Sequence, residues 1–118
     1  QSGAKDAPAK VIAVRLRPNQ DFHGALEKCC RDNGISSARI RGGVGSTIGA
    51  RFEDGRVVEN FATEVYIRNG SISPGPDGNL QAEIDVALID YTGAVAEGRL
   101  RRGDSPVLMT FELALEVQ

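Results

Sequence analysis

The chain has 118 residues, of which 41% are hydrophobic and 25% charged, and its formal net charge is −2 at pH 7. This length and composition predict one globular domain, at residues 10–118, and argue against a disordered chain. The negative charge argues against a strongly basic nucleic-acid binder, and no apolar run approaches the roughly 18 residues needed to span a membrane.

In the amino-terminal third of the chain, the sequence pattern predicts one strand and one helix. Residues 1–9 are small and polar, so we expect a disordered tail or a cloning remnant there. A strand is predicted at residues 10–17 and ends at Pro18, because proline has no N–H for a sheet. The helix that follows is predicted to begin after Asp21 as its cap and to end at Asn33-Gly34. Its apolar residues lie at i, i+3, i+4, i+7 and i+8, and they are Phe22, Ala25, Leu26, Cys29 and Cys30.

The two cysteines, Cys29 and Cys30, are adjacent in the predicted helix. Neighbours on a helix do not readily reach disulfide geometry, and the chain has no cysteine and histidine spacing typical of a metal site. We therefore interpret both as core residues and expect a reducing, cytoplasmic setting. His23, the single histidine, is expected on the surface of the same helix.

Everything after the helix is predicted to be strand. Apolar and polar residues alternate at residues 38–41, 80–88 and 107–117, and Asp54-Gly55 is typical of a hairpin turn. The glycine-rich residues 42–46 are expected to interrupt the first of these strands. Further strand segments are predicted at residues 47–52, 57–58, 64–68, 70–73 and 94–101. One helix with many sequential strands indicates an α+β fold with a mostly antiparallel sheet.

Several short segments match one known family in their order and spacing. Arg-Pro-Asn-Gln-Asp-Phe at residues 17–22 is similar to the Arg-Pro-Gly-Glu-Asp-Leu that begins the helix of the PPC (plants and prokaryotes conserved) domain. The similarity continues through Asn-Gly-Ile at 33–35, the glycine-rich segment at 41–46, Gly-Ser-Ile-Ser at 70–73, residues 86–90 with Gly93, and Glu-Gly-Arg-Leu at 97–100. The resemblance covers about residues 11–117.

The resemblance implies a compact α+β fold that associates as a homotrimer. In plants the PPC domain follows AT-hook segments in nuclear DNA-binding proteins, where it mediates assembly and partner contacts. Bacterial members are mostly single domains without an established function, and they are often labelled as DNA-binding. This chain has no Arg-Gly-Arg-Pro core of an AT-hook. The resemblance therefore implies a DNA- or transcription-associated module whose own DNA contact is weak or indirect.

The chain departs from the family at the family's presumed metal site. Many prokaryotic members carry His-x-His on the long strand and Gly-Gly-His after the next turn. The matching positions here are Glu83, Asp85 and Arg99. We therefore expect neither a metal nor a cofactor.

Glu83 and Asp85 are two residues apart on a predicted strand, so both side chains lie on one face about 7 Å apart. We favour a salt-bridged replacement of the lost site, in which Arg99 neutralises both carboxylates. A ligand pocket built from these three residues is the alternative, and acid–base catalysis by the carboxylates is a third interpretation. Glu64 precedes an apolar strand and is a further candidate acid that could converge with them.

The glycine-rich segment resembles a phosphate loop only superficially, because it lacks the lysine and is followed by a strand rather than a helix. We interpret residues 42–46 as a family-typical turn. A nest of backbone N–H groups that binds an anion is the alternative, which the flanking Arg39, Arg41 and Arg51 favour.

Two classes of function remain. A non-catalytic oligomeric binding or regulatory module is favoured, because the sequence shows no nucleophile–base pair, metal cluster or cofactor motif. The alternative is a binding protein or enzyme for a small anionic ligand, with a pocket between subunits. Its candidate ligand-binding residues are Glu83, Asp85, Arg99, Arg39, Arg41 and Glu64. The expected partners are two further copies of the chain and either a protein or a small anionic ligand. We expect no binding to a membrane.

Overall fold

The computed structural model describes residues 10–103 and 105–118, so the tail or remnant expected at residues 1–9 lies outside the described residues. In chain order the elements are β1 (Val11–Leu16), α1 (Phe22–Asp32), β2 (Ala38–Thr47), β3 (Ala50–Arg51), β4 (Val57–Val58), β5 (Ala62–Pro74), β6 (Leu80–Asp90), β7 (Val95–Arg99) and β8 (Val107–Val117).

Helix α1 begins and ends where the sequence predicts. The carboxylate of Asp21 accepts a hydrogen bond from the N–H of Gly24 at 2.8 Å and so caps the first turn. The chain leaves the helix through Gly34, whose φ of 67° lies in the left-handed region that glycine tolerates. No helix among the described residues has the length and apolar character needed to cross a membrane.

The apolar face of α1 packs into the core. The ring of Phe22 stacks on that of Phe111 in β8, with 4.3 Å between the ring centroids. Leu26 and Cys30 are fully buried, and the half-buried Cys29 packs against them. Cys30 is thus the core residue that the sequence predicts, Cys29 lies at the edge of the core, and both thiols are free.

His23 is buried, so its expected place on the helix surface is wrong. The segment that leads into β8 pairs with the start of the helix, next to this residue. The N–H of Phe22 donates to the carbonyl of Ser105 at 3.3 Å, and Asp21 forms an isolated bridge with Pro106. A contact between residues so far apart in the chain has no local signal in the sequence.

Six strands form one sheet in the order β1-β8-β2-β5-β6-β7, and every neighbouring pair is antiparallel. Strands β3 and β4 form a separate hairpin. Helix α1 is the sole helix within the described ranges, which confirms the predicted α+β class with a mostly antiparallel sheet. The helix and the hairpin pack on one side of the sheet, which we call the inner face. The side chains of the opposite, outer face alternate with the buried ones along each strand.

The clearest strand predictions are confirmed. Strands β6 and β8 coincide with the two longest alternating segments, and the turn between β3 and β4 contains the predicted Asp54-Gly55 pair. Gly55 has a φ of 95°, as expected for a tight turn. Residues 62–74 form one strand with a bulge between Ile67 and Asn69, where the sequence predicts two shorter strands.

The glycine-rich segment is neither a turn nor an anion-binding nest, because it continues β2. Val44 and Gly45 pair with β5 on one side and β8 on the other, so their backbone is engaged in the sheet. The glycines are needed for close packing: a Cβ on Gly45 would lie 2.5 Å from the ring of Phe111. A Cβ on Gly43 would lie 2.7 Å from the Cβ of Leu113.

Candidate functional site

The outer face of the sheet divides into two ends of different character. One end carries exposed apolar side chains on β8, β2, β5 and β7, and this apolar end consists of Val44, Tyr66, Val95 and Met109. The other end carries charged and hydroxyl side chains, and this polar end consists of Arg39, Ser71, Glu83, Asp85 and Arg99. The predicted residues at the polar end come from the start of β2, the first half of β6 and the last residue of β7.

The sheet register brings Arg99 against the two carboxylates of β6. Arg99 lies directly opposite Asp85 in the β6–β7 pairing, so both side chains emerge on the outer face. Its Nε donates to Asp85 Oδ1 at 2.8 Å and its Nη2 donates to Oδ2 at 3.3 Å. Glu83 is more distant, with its Oε1 3.8 Å from Nη1 of Arg99. The hydrogen bond with Asp85 raises the pKa of Arg99 above its usual value.

This cluster is partly open to solvent. The side chains of Arg99 and Asp85 are 38% and 32% exposed, and that of Glu83 is 59% exposed. Water therefore screens the charges, and an ion pair of this kind contributes about 1 kcal/mol or less to stability. Catalysis by the two carboxylates would need a strongly desolvated acid, which this environment does not provide.

Arg39 and Glu83 line a polar cavity with Arg99. The cavity has a volume of about 420 Å³ and is bordered by Ser37, Asn69, Ser71, Ser73 and Gln118 as well as these three residues. Ser71 lies between Arg39 on β2 and Glu83 on β6 in the sheet register. Arg39 forms no ion pair with any residue in the described ranges. The cavity thus presents a free guanidinium and a weakly paired carboxylate on either side of a hydroxyl.

Two of the predicted ligand residues lie elsewhere. Arg41 pairs with Glu116 of β8 and does not line the polar cavity. Glu64 is exposed and accepts a hydrogen bond from the hydroxyl of Tyr66 at 2.8 Å, which raises the pKa of that tyrosine. Glu64 lines a different cavity, near the apolar end. Glu64 is therefore a surface acid that does not converge with Glu83 and Arg99.

A buried ion pair that the sequence analysis missed lies on the other side of the sheet. The carboxylate of Glu27 in α1 accepts hydrogen bonds from Nε and Nη2 of Arg102 at 2.8 and 2.6 Å. It also accepts one from the N–H of Ala82 at 2.8 Å. Burial raises the pKa of Glu27, but these hydrogen bonds outweigh it and hold the pKa below its usual value. The only sign of this ion pair in the sequence is the position of Glu27, directly after Leu26 of the apolar helix face.

Comparison with known proteins assigns this fold to a family. The sequence model of one protein family, the Plants and Prokaryotes Conserved (PCC) domain, matches residues 3–117, nearly the whole chain. The chain belongs to the PCC domain family. PCC and PPC are abbreviations of the same family name, so the family resemblance of the short segments is confirmed. No curated protein matches the chain.

Solved structures share the PCC fold. The chain is 20% identical to a plant- and prokaryote-conserved protein from Pyrococcus horikoshii, with a TM-score of 0.67. The match covers 95% of this chain and 81% of that one. A protein from Bacteroides thetaiotaomicron named a "putative DNA binding protein" is 16% identical, with a TM-score of 0.69 and coverage of 94% and 80%. A metal-containing protein from Archaeoglobus fulgidus is 22% identical, with a TM-score of 0.67 and coverage of 94% and 81%.

The polar end of this PCC domain does not fit a metal ion. Within the described residues no three His, Cys, Asp or Glu side chains form a group that could hold one. Glu83 and Asp85 are the two carboxylates available, and both oxygens of Asp85 already accept hydrogen bonds from Arg99. A guanidinium next to these carboxylates repels a second cation and replaces the charge that a metal would supply.

Proposed function

We propose that this PCC domain is a non-catalytic binding or regulatory module that assembles as a homotrimer through the apolar end of its outer face. The observation that carries this proposal is the set of exposed apolar residues at that end. Val44 and Tyr66 are neighbours in the sheet register and remain 48% and 44% exposed in the single chain. Exposed apolar patches on small domains mark surfaces that bind another protein.

A second copy of the chain is the partner that this surface fits best. A domain of 118 residues buries a limited fraction of its own surface, so association adds stability that one core alone does not supply. The choice of three copies rests on the family resemblance. We place the assembly in the cytoplasm, a setting supported by the free thiols of Cys29 and Cys30.

The assembled module would act in DNA-associated or transcriptional complexes through its oligomeric state rather than through strong direct DNA contact. The naming of the Bacteroides thetaiotaomicron protein supports the DNA association. The net charge of −2 supports an indirect contact, because phosphate neutralisation dominates non-specific binding of DNA.

Light scattering coupled to size exclusion tests this proposal. At micromolar concentration we expect about three times the 12.6 kDa mass of one chain. Val44→Lys places a charge in the apolar end and should yield monomers. Val57→Lys is the matched control, because Val57 is also an exposed strand valine, 44% accessible, but lies on the β3–β4 hairpin.

The two variants separate assembly from general surface effects. Loss of the oligomer in Val44→Lys alone supports assembly through the apolar end. A wild-type chain that is monomeric at this concentration contradicts the proposal, and so does a trimer that survives Val44→Lys.

A further inference from the structure

We infer that the polar cavity binds a small hydroxylated anion, with the anionic group on Arg39 and hydroxyl groups on Ser71 and Glu83. The ligand class is that of sugar acids and sugar phosphates, which share an anionic group and neighbouring hydroxyls. This inference does not rest on the proposed trimer, because one chain supplies all three of these residues.

The first step concerns the anion. Arg39 lies opposite Glu116 in the β2–β8 register, and an ion pair between them would be the ordinary outcome. Glu116 instead pairs with Arg41, two residues further along β2. Arg39 is left without a carboxylate among the residues at 10–103 and 105–118 and borders a cavity of about 420 Å³. A guanidinium in this position binds a carboxylate or a phosphate through two parallel hydrogen bonds.

The second step concerns the rest of the ligand. Arg39, Ser71 and Glu83 follow one another across three adjacent strands, so Arg39 and Glu83 are about 10 Å apart at their backbones. A ligand that reaches from one to the other passes the Ser71 hydroxyl. Among the described residues the carboxylate of Glu83 has only a distant contact with Arg99, at 3.8 Å, and it is 59% exposed. A ligand hydroxyl can therefore donate to it in place of water.

The third step decides the kind of donor. An ammonium group on Glu83 would lie next to the guanidinium of Arg99, which is 3.8 Å from the same carboxylate. Like charges at this distance repel, whereas a neutral hydroxyl donates to Glu83 without that cost. Asn69 and Gln118 also border the cavity and supply amide groups for further hydroxyls. The cavity is thus complementary to a polyhydroxylated anion rather than to an amino acid.

Isothermal titration with matched probes tests the inference. D-gluconate carries both features, hexanoate lacks the hydroxyls, and D-sorbitol lacks the anionic group. D-ribose 5-phosphate and inorganic phosphate repeat the comparison for a phosphate. We expect D-gluconate or D-ribose 5-phosphate to bind with a submillimolar Kd, at least about tenfold tighter than the probes that lack one feature. Which of the two binds more tightly distinguishes sugar acids from sugar phosphates.

Two substitutions locate the binding. Arg39→Gln should weaken binding at least tenfold, which corresponds to about 1.4 kcal/mol. Arg15→Gln is the control, since Arg15 is an exposed arginine of β1 that does not line the cavity. Glu83→Gln should reduce the preference for D-gluconate over hexanoate, because it removes the charged acceptor for the hydroxyls.

The inference is overturned if neither hydroxylated anion binds below 10 mM, a threshold about tenfold above the expected range. It is also overturned if D-sorbitol binds as tightly as D-gluconate, or if Arg15→Gln weakens binding as much as Arg39→Gln does. Binding that persists in Val44→Lys shows that the cavity works without the proposed assembly, so failure of the trimer and failure of the ligand site are separate results.

Discussion

Solvent exposure, rather than hydrogen-bond geometry, distinguishes the two arginine–carboxylate pairs of this domain. Arg99 with Asp85 and Arg102 with Glu27 are both bidentate pairs. The side chain of Asp85 is 32% exposed, but that of Glu27 is only 5% exposed. Breaking a buried pair leaves an uncompensated charge in the interior, whereas water takes over the role of a lost partner at the surface.

Arg102→Ala should therefore destabilise the domain by about 3 kcal/mol at neutral pH, because it leaves the Glu27 carboxylate buried without its cation. In the wild type the pKa of Glu27 is lowered, so its contribution to stability is fully present above the unfolded pKa and is lost as pH falls through the folded one. In the variant burial dominates and raises this pKa. The destabilisation should then shrink as pH falls toward 4.5, the ordinary value for Glu.

Urea unfolding between pH 4 and pH 8, at fixed protein concentration, measures this dependence. Arg99→Ala is the matched control, because it removes an equally placed guanidinium from a more exposed carboxylate. It should cost about 1 kcal/mol or less. Equal losses in the two variants, or an Arg102→Ala penalty that does not change with pH, would show that burial does not set the strength of these pairs.

Among the elements, β2 depends most on residues far away in the chain. Gly45 and Gly70 are both strand glycines with no room for a Cβ, but what they meet differs. A Cβ on Gly45 would lie 2.5 Å from the Phe111 ring and 2.5 Å from the backbone oxygen of Thr110. A Cβ on Gly70 would meet only the side chain of Ile40, at 2.6 Å from its terminal carbon.

Gly45→Ala should accordingly destabilise the domain by about 3 kcal/mol, near the upper end for overpacking, because a backbone atom cannot move aside as a side chain does. Gly70→Ala should cost about 1 kcal/mol, since the end of Ile40 can change rotamer. In Gly70→Ala with Ile40→Val the closest atom is removed, and the two effects should be less than additive. Thermal unfolding measures all three. A Gly45→Ala chain as stable as the wild type would mean that these glycines are not placed by packing.

The sequence predicts best the elements whose signals are local. Helix α1 has a capping residue, apolar residues at helical spacing and a terminating glycine. In β6 and β8, apolar and polar residues alternate. The continuation of β2 through residues 42–46 could not be predicted, because glycine is a poor strand former and the reason for it lies in β8. The same limit applies to the burial of His23, since the start of α1 pairs with a segment about eighty residues later in the chain.

The candidate site was predicted in part for a related reason. Two-residue spacing was enough to place Glu83 and Asp85 on one face, and the register of β7 then set Arg99 opposite Asp85. The sequence could not distinguish Arg39 from Arg41, which lie on the same face of β2. Their difference comes from Glu116 on β8, which pairs with Arg41 alone. Side-chain pairing across a sheet is set by strand order, which one sequence does not reveal.

On the scale of the whole molecule, several of the arginines are already neutralised. Arginines in ion pairs with acidic side chains of the described residues are Arg41, Arg56, Arg68, Arg99 and Arg102. At the polar end, acids of β6 and β8 separate the arginines, so no continuous basic stripe follows the sheet. A duplex that approaches this face meets both signs of charge, which is unfavourable for strong binding of phosphate.

We therefore expect only weak, sequence-independent DNA binding, with a Kd of about 0.1 mM for a random duplex at physiological salt. Fluorescence anisotropy with a labelled 20-base-pair duplex, about two helical turns, measures it as salt is varied. The paired variant Arg39→Gln with Arg41→Gln should change this affinity no more than Arg15→Gln with Arg17→Gln, because both remove two exposed charges. A tight complex with a steep salt dependence, lost only in the first pair, would make the polar end a DNA-binding surface and would contradict a module that acts through assembly.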